Sequence, residues 1–191
     1  MEINNTLKKW LEQLEKFEFQ SYEKLPDIDL YMDQMITYLE RQLAIFATSS
    51  MDKQITSSMI NNYVKGEVIS APILKKYNRE HLALIEEVCT LKQVLSLSEI
   101  KEVIKNRYNN ESNISVFNNF KTSFSEENKN AVNYTLDKLH DIKSNDIEGL
   151  SNLALDLTLK SVAYITIAKR ILFLEKLFAD QIKEKQNKKE S

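Results

Sequence analysis

Side chains that can contact nucleic-acid bases are concentrated in a short segment between residues 57 and 65. Asparagine can form paired hydrogen bonds with adenine, serine can bond to either strand, and lysine can contact guanine or a phosphate. Met59, Ile60 and Tyr63 of the same segment are better suited to packing. A polar, solvent-exposed helix face is the alternative interpretation. The candidate contact residues are Ser57, Ser58, Asn61, Asn62 and Lys65.

A group of cationic side chains follows this segment and consists of Lys75, Lys76 and Arg79. Between Thr48 and Arg79, five basic residues against two acidic ones give a local excess of +3, whereas the whole chain has a net charge of −2. Positive charge next to a base-reading helix is placed to contact the phosphate backbone. The excess is modest, so we expect a small basic patch and not a strongly cationic protein.

Other side chains with chemical potential do not combine into a catalytic or metal-binding pattern. Asp137, His140 and Asp141 share one helix face, but no second His–carboxylate pair is present to complete a metal site. Glu86 and Glu87 are adjacent on a helix and point in different directions, so they do not form a glycosidase-like pair. We therefore expect no catalytic, metal or cofactor-binding residues, and no enzyme.

The single cysteine and the two glycines exclude further site types. Cys89 stands alone, which excludes an internal disulfide and any multi-thiolate metal site, and its apolar neighbours predict a buried thiol. Gly66 and Gly149 are too far apart for a glycine-rich phosphate loop.

The composition predicts a mainly helical, folded protein. Hydrophobic residues make up 42% of the 191 residues and charged residues 28%, while only two glycines and two prolines are present to form turns. The first residues carry charges and lack the apolar stretch of a signal peptide, and no apolar run is long enough to span a bilayer. We expect a cytoplasmic protein with no membrane partner.

Helix signals in the first half of the chain are regularly spaced. Apolar residues between Leu7 and Phe17 predict an amphipathic first helix, and Pro26-Asp27 marks the start of a second helix that runs to about Ala47. Thr56 is a plausible N-cap and Gly66 a plausible C′ residue of a short third helix. Two short strands, at 68–69 and 74–77, are predicted around a tight turn at 70–72.

The second half is predicted to be helical throughout. Asn78 can cap one helix, and Ser96 with Glu99 forms a capping box for the next. An Asn- and Ser-rich stretch then predicts a boundary near Asn109, which divides the chain into domains 1–108 and 109–191. The second domain is predicted to hold two helices, over residues 126–141 and 146–185, the latter opened by a capping box of Asn145 with Glu148. Because the last helix is apolar on more than one face, we expect it to pair subunits.

Residues 54–105 resemble the winged-helix DNA-binding domain of the MerR superfamily. The matching features are Tyr63 and Lys65 at the end of a helix, a hydrophobic link containing Pro72, a basic and tyrosine segment at 75–77, and the motif SLSEI at the start of a later helix. The upstream motif LPDIDLYMDQMITYLE is similar to the signature of a bacterial family, domain of unknown function 1836, over about residues 7–108. These resemblances imply a MerR-like module in a cytoplasmic bacterial protein.

The sequence thus predicts a mainly α protein: a MerR-like winged helix-turn-helix with an extra N-terminal helix, followed by a C-terminal helical bundle with one long helix. The predicted function is a homodimeric transcription regulator that binds double-stranded DNA and responds to an unidentified small-molecule or protein effector. The alternative is a helical protein-interaction adaptor whose degenerate winged helix does not bind DNA. The acidic overall charge and the arginine-poor helix at 57–65 favour this alternative.

Overall fold

The computed structural model describes residues 3–47, 55–108 and 112–190. The described residues form a mainly helical structure with one small antiparallel sheet of strands β1 (Leu30–Tyr31) and β2 (Lys76–Tyr77). Two 3-10 turns lie at Tyr22–Lys24 and Ala44–Phe46. The α-helices are α1 (Ile3–Lys16), α2 (Met32–Gln42), α3 (Ser57–Lys65), α4 (Arg79–Leu91), α5 (Leu97–Tyr108), α6 (Asn113–His140) and α7 (Ile147–Glu190).

The main core lies between α2, α3, α4 and α5. Met35 of α2, Ile60 of α3, Ile85 of α4 and Ile100 of α5 are all fully buried there. Each belongs to an apolar stripe of the sequence, so the amphipathic pattern and the burial agree. Two of the predicted helix starts, those of α4 and α5, are confirmed here, because Asn78 accepts a hydrogen bond from the His81 amide, and Ser96 and Glu99 cap α5 reciprocally.

Helix α6 connects this core to the C-terminal helix α7. It begins at Asn113, where the Ser112 hydroxyl accepts a hydrogen bond from the Ser115 amide, and not at residue 126 as predicted. The part of the Asn- and Ser-rich stretch from residue 113 onward is helical and not a loop, and its Phe117 is fully buried against Tyr22. The predicted boundary at Asn109 lies outside the described residues.

Helix α1 is amphipathic, as predicted, and the element on which it packs is α6. Leu11 is buried, and the side-chain amide of Asn4 donates to the carbonyl oxygens of Ile142 (3.3 Å) and Lys143 (3.4 Å) just beyond α6. The two helices therefore run antiparallel, and α1 is fixed at its N-terminal end by polar contacts.

Two predicted starts are wrong in detail. Helix α2 begins at Met32 and not near Pro26, because Leu30 and Tyr31 form strand β1. Helix α7 is opened by Asp146, whose carboxylate accepts a hydrogen bond from the Gly149 amide (2.9 Å), and not by Asn145, which has a positive φ of 60°. At α7 the neighbour of the predicted cap supplies the capping side chain, whereas at α2 the start moves by several residues because strand β1 comes first.

Candidate nucleic-acid interface

Helix α3 presents all five predicted base-contacting side chains to solvent. The hydroxyl of Thr56 caps its start by accepting a hydrogen bond from the Met59 amide (3.3 Å), and Ile60 and Tyr63 are buried in the core. At 3.6 residues per turn the five exposed positions fall within about 140° of the helix circumference. They form one continuous polar face, which consists of Ser57, Ser58, Asn61, Asn62 and Lys65.

The end of α3 is fixed by a pair of backbone hydrogen bonds. The Val68 amide donates to the Tyr63 carbonyl (3.0 Å) and the Glu67 amide to the Val64 carbonyl (2.9 Å), which is the Schellman arrangement. Glu67 has a φ of 54° and is the C′ residue, one position after the predicted Gly66. Gly66 meets a different requirement, because a Cβ there would lie 3.1 Å from Leu97.

The predicted strand at 68–69 is absent, and this is a correction to the predicted wing. The amides of Val68 and Ile69 both donate to the Tyr63 carbonyl, so they are used to close α3 and are not available to a strand partner. Both side chains are buried in the core. The second predicted strand is confirmed in part, as Lys76–Tyr77, but its partner is Leu30–Tyr31 ahead of α2.

The tight turn lies at residues 73–76, leading into β2, and not at 70–72 as predicted. The Ile73 amide donates to the Lys76 carbonyl (3.1 Å), and the Lys76 amide donates to the Ile73 carbonyl (2.9 Å). The two central residues, Leu74 and Lys75, have φ values of 50° and 64°. This is type I′ geometry, which normally requires Asn or Gly because a side chain is strained at positive φ.

The cationic residues near the turn have different surroundings. Lys75 is exposed, and the Lys76 ammonium lies 5.2 Å from the ring centroid of Tyr31. The guanidinium of Arg79 donates from Nε to the Leu25 carbonyl (3.1 Å), so this side chain is already held by the protein. The guanidinium of Arg79 is therefore engaged by a backbone carbonyl, unlike the ammonium groups of the two lysines of the turn.

Sequence reasoning missed the apolar tip of this turn. The Leu74 side chain is 87% exposed, and that of Ile73 is 68% exposed. An apolar side chain that is both exposed and at a strained backbone position gains no burial to offset the strain. The only sequence signal was the absence of Gly, Asn or Asp from a segment that has to turn.

Histidine 81 anchors the segment that joins α3 to the turn. One ring nitrogen, Nε2, lies 3.1 Å from the Ser70 hydroxyl, and Nδ1 lies 3.2 Å from the Asn78 amide that donates to it. The imidazole is buried, and its ring meets Tyr77 edge to face. These contacts hold the turn at a fixed position relative to α4.

The burial of two carboxyl groups on α4 was also not predicted, because Glu86 and Glu87 were weighed only as a possible catalytic pair. Both side chains are fully buried. Glu87 accepts hydrogen bonds from Arg107 (3.1 Å) and the Tyr108 hydroxyl (3.2 Å), whereas neither oxygen of Glu86 has a hydrogen-bond partner among the described residues. Burial raises the pKa of Glu86 to about 8 and that of Glu87 to about 7.

The remaining candidate side chains are structural or solvated. Cys89 is buried as predicted, and burial raises the pKa of its thiol to about 12, so it is protonated at neutral pH. His140 and Asp141 contact each other at 3.3 Å on the exposed surface. Within residues 3–47, 55–108 and 112–190, no three His, Cys, Asp or Glu side chains form a group that could hold a metal ion. No described helix is long and apolar enough to cross a membrane.

A family model matches residues 20–126, which is more than half of the chain. The chain belongs to the family described as domain of unknown function (DUF1836). The DUF1836 region contains β1, α2, α3, the turn at 73–76, β2, α4, α5 and the first half of α6. The resemblance to this family that the sequence indicated is confirmed, over residues 20–126 instead of 7–108. No curated protein and no solved structure matches the chain.

The DUF1836 region therefore includes both candidate contact elements and the helices that hold them. It also extends into α6, where Phe120 and Phe124 pack on Phe19 with ring centroids 5.7 and 5.2 Å apart. All of α1 and all of α7 lie outside the matched residues.

Proposed function

We propose that this DUF1836 protein is a homodimeric, DNA-binding transcription regulator with a MerR-like winged helix-turn-helix. The observation that carries the proposal is the polar face of α3. The buried Ile60 and Tyr63 and the capped ends of the helix hold five hydrogen-bonding side chains outward on a rigid element. A recognition helix needs this combination of a fixed backbone and exposed donors and acceptors.

The segment after α3 supports a role as a wing. Lys75 and Lys76 supply positive charge to phosphates on either side of a groove, and this contact sets position without reading sequence. Leu74, at the tip of the turn, has the exposure and the chemistry of an apolar wedge that enters a minor groove. The pairing of β2 with β1 joins this wing to Tyr31, the residue before α2. The wing is therefore attached to α2, the helix that precedes the proposed recognition helix α3.

The proposed regulator forms a homodimer through α7. This 44-residue helix buries few of its apolar side chains, and Leu155, Leu159, Tyr164 and Ile171 are among those that remain exposed. In a two-fold dimer, two copies of α3 contact half-sites one helical turn apart on the duplex.

A protein-interaction adaptor is the second candidate function, and the same exposed surface of α7 favours it. An adaptor needs a large apolar docking surface and no basic groove, and the net charge of −2 agrees with that description. The two functions differ in one property, because only the regulator has an affinity for duplex DNA that depends on salt.

Selection of bound fragments from the protein's own genome tests the proposal. The purified full-length protein is incubated with fragmented genomic DNA at two salt concentrations, and the retained fragments are sequenced. We expect a small set of enriched sites with two-fold symmetry and weaker retention at higher salt. Retention of no fragment above background at low salt would contradict the regulator and favour the adaptor.

A further inference from the structure

An open apolar groove of about 760 Å³ lies between α1, α6 and α7. Trp10 of α1 forms part of one wall and is 41% exposed. Val132 and Thr135 of α6 form the floor, and Leu153 and Leu157 of α7 belong to the opposite wall. Three helices around an apolar groove leave the place of a fourth helix empty.

The apolar residues of α7 that line the groove continue into an exposed stripe. Leu150, Leu153 and Leu157 border the groove. Their spacing, three and then four residues apart, continues along the helix through Lys160 to Phe178. This spacing is the heptad pattern of a helix that packs along its length on another helix. We call these positions the seam; its exposed part consists of Tyr164, Ile167, Ile171, Leu174 and Phe178.

We propose that the groove binds the exposed half of the seam from a second copy of the chain, running antiparallel. A two-fold arrangement of this kind fills both grooves equally, because each copy contributes one groove and one exposed half-helix. Heptad positions then oppose each other so that Leu157 lies against the partner's Leu174, and Leu153 lies against the partner's Phe178. Each partner helix completes a four-helix bundle with α1, α6 and α7.

The charge distribution favours the antiparallel orientation. Residues 141–148, around the start of α7, contain three carboxylates and one lysine, which gives −2. Residues 183–190, at its end, contain four lysines and two glutamates, which gives +2. An antiparallel pair brings each acidic start next to a basic end, whereas a parallel pair would place like charges together.

This inference rests on the proposed homodimer and not on DNA binding. It predicts that the seam of α7 is covered by the partner copy. Cysteine cross-linking between copies tests directly whether these positions meet. The double variant Leu157→Cys/Leu174→Cys should form a covalent dimer under mild oxidation, because the two positions meet between copies. Within one copy they are 17 residues, or about 25 Å, apart along the helix, so no intrachain disulfide can form. Each single variant should stay uncross-linked, and the native Cys89 is buried in all of them.

A matched control uses the other side of α7. Leu159 and Phe173 are also exposed, and an antiparallel partner would bring them together only if that side formed the interface. We expect no cross-link for Leu159→Cys/Phe173→Cys. A cross-link for this pair, or none for Leu157→Cys/Leu174→Cys in a protein that light scattering shows to be dimeric, would overturn the groove assignment while leaving the homodimer in place. A monomeric mass for the unmodified protein would overturn both.

Trp10 gives an independent readout, because it is the only tryptophan of the chain and borders the groove. Leu174→Glu adds a charge at an exposed seam position and should yield a monomer with its Trp10 emission shifted to longer wavelength and quenched more strongly by acrylamide. Leu159→Glu adds the same charge on the other side of α7 and should leave both the mass and the emission unchanged. Equal effects of the two variants, or a monomeric Leu174→Glu protein with unaltered Trp10 emission, would contradict the proposal.

Discussion

Lys76 lies opposite Tyr31 in the small sheet, and its ammonium nitrogen is 5.2 Å from the centroid of the tyrosine ring. The contact joins the turn at 73–76 to the residue that precedes α2. A cation above an aromatic ring is stabilised by about 0.5–1 kcal/mol at an exposed site. Lys76 is therefore partly held by the protein, whereas Lys75 is free to contact a phosphate.

The first prediction concerns the charge of the turn. Lys75→Glu/Lys76→Glu changes the local charge by four units while disturbing little packing. If both lysines contact phosphates, the slope of log affinity against log salt should become shallower by roughly 2, and all sequences should bind more weakly. Fluorescence anisotropy of a labelled duplex across a salt series measures both effects.

A control with the same charge change separates local contact from the overall charge of the protein. Lys129 and Lys143 are exposed and lie far along the chain from the turn, and Lys129→Glu/Lys143→Glu alters the net charge equally. We expect this variant to retain most of the wild-type salt slope. Equal losses in the two variants would mean that the turn does not contact DNA.

The second prediction concerns base recognition by α3. Asn61 is exposed at the middle of the polar face, where an amide can pair with adenine. Asn61→Ala should weaken binding by about 1–3 kcal/mol at particular base pairs and leave binding to unrelated sequences nearly unchanged. Binding to a panel of single-base variants of a selected site measures this. A uniform loss across the panel would assign Asn61 to the backbone or to the fold instead.

The amphipathic helices and their caps were predictable because short-range patterns determine them. Thr56, Asn78 and Ser96 each combine a side-chain acceptor with an apolar run that follows, and all three caps are present. The polar face of α3 could be predicted for the same reason, since the buried Ile60 and Tyr63 define which side of the helix remains exposed.

Long-range features were not predictable from local pattern. The stretch around Phe117 contains polar residues typical of loops, and it is helical because Phe117 packs on Tyr22, almost a hundred residues earlier in the chain. Strand β2 was assigned the wrong partner because its actual partner, β1, precedes α2. The groove at Trp10 requires α1 to pack beside α6 and α7, which lie far later in the chain, so no single amphipathic pattern indicates it.

The third prediction concerns pH and Glu86. Burial raises the pKa of this carboxyl from 4.5 to about 8, so between these values the folded protein binds a proton that the unfolded chain releases. The free energy of unfolding should therefore be highest at low pH within this window and should fall as pH rises, by about 1.4 kcal/mol per pH unit for one such group. Urea unfolding from pH 5 to 8.5 measures the decline.

Glu86→Gln isolates that contribution, because glutamine does not titrate and has nearly the same shape. The variant should lose the part of the decline that Glu86 causes, so that its stability relative to wild type increases from pH 5 and levels off above about pH 8. Glu87, whose pKa is raised to about 7, would still titrate in the variant and leave a smaller slope. Parallel pH profiles for the two proteins would show that Glu86 is not buried as a protonated acid.

The last prediction concerns the strained turn, where stability and function should oppose each other. Leu74 has a positive φ and an 87% exposed side chain, so it carries backbone strain without gaining burial. Leu74→Asn should raise the free energy of unfolding by roughly 1 kcal/mol, because asparagine tolerates this backbone conformation. The same variant should bind DNA more weakly, since it removes the apolar wedge. Leu74→Ala is the matched control: it also removes the wedge but keeps a side chain at positive φ, so it should weaken binding with no comparable gain in stability. Wild-type affinity in both variants would mean that the leucine has no role in binding, and an unchanged stability of Leu74→Asn would mean that the turn is not strained.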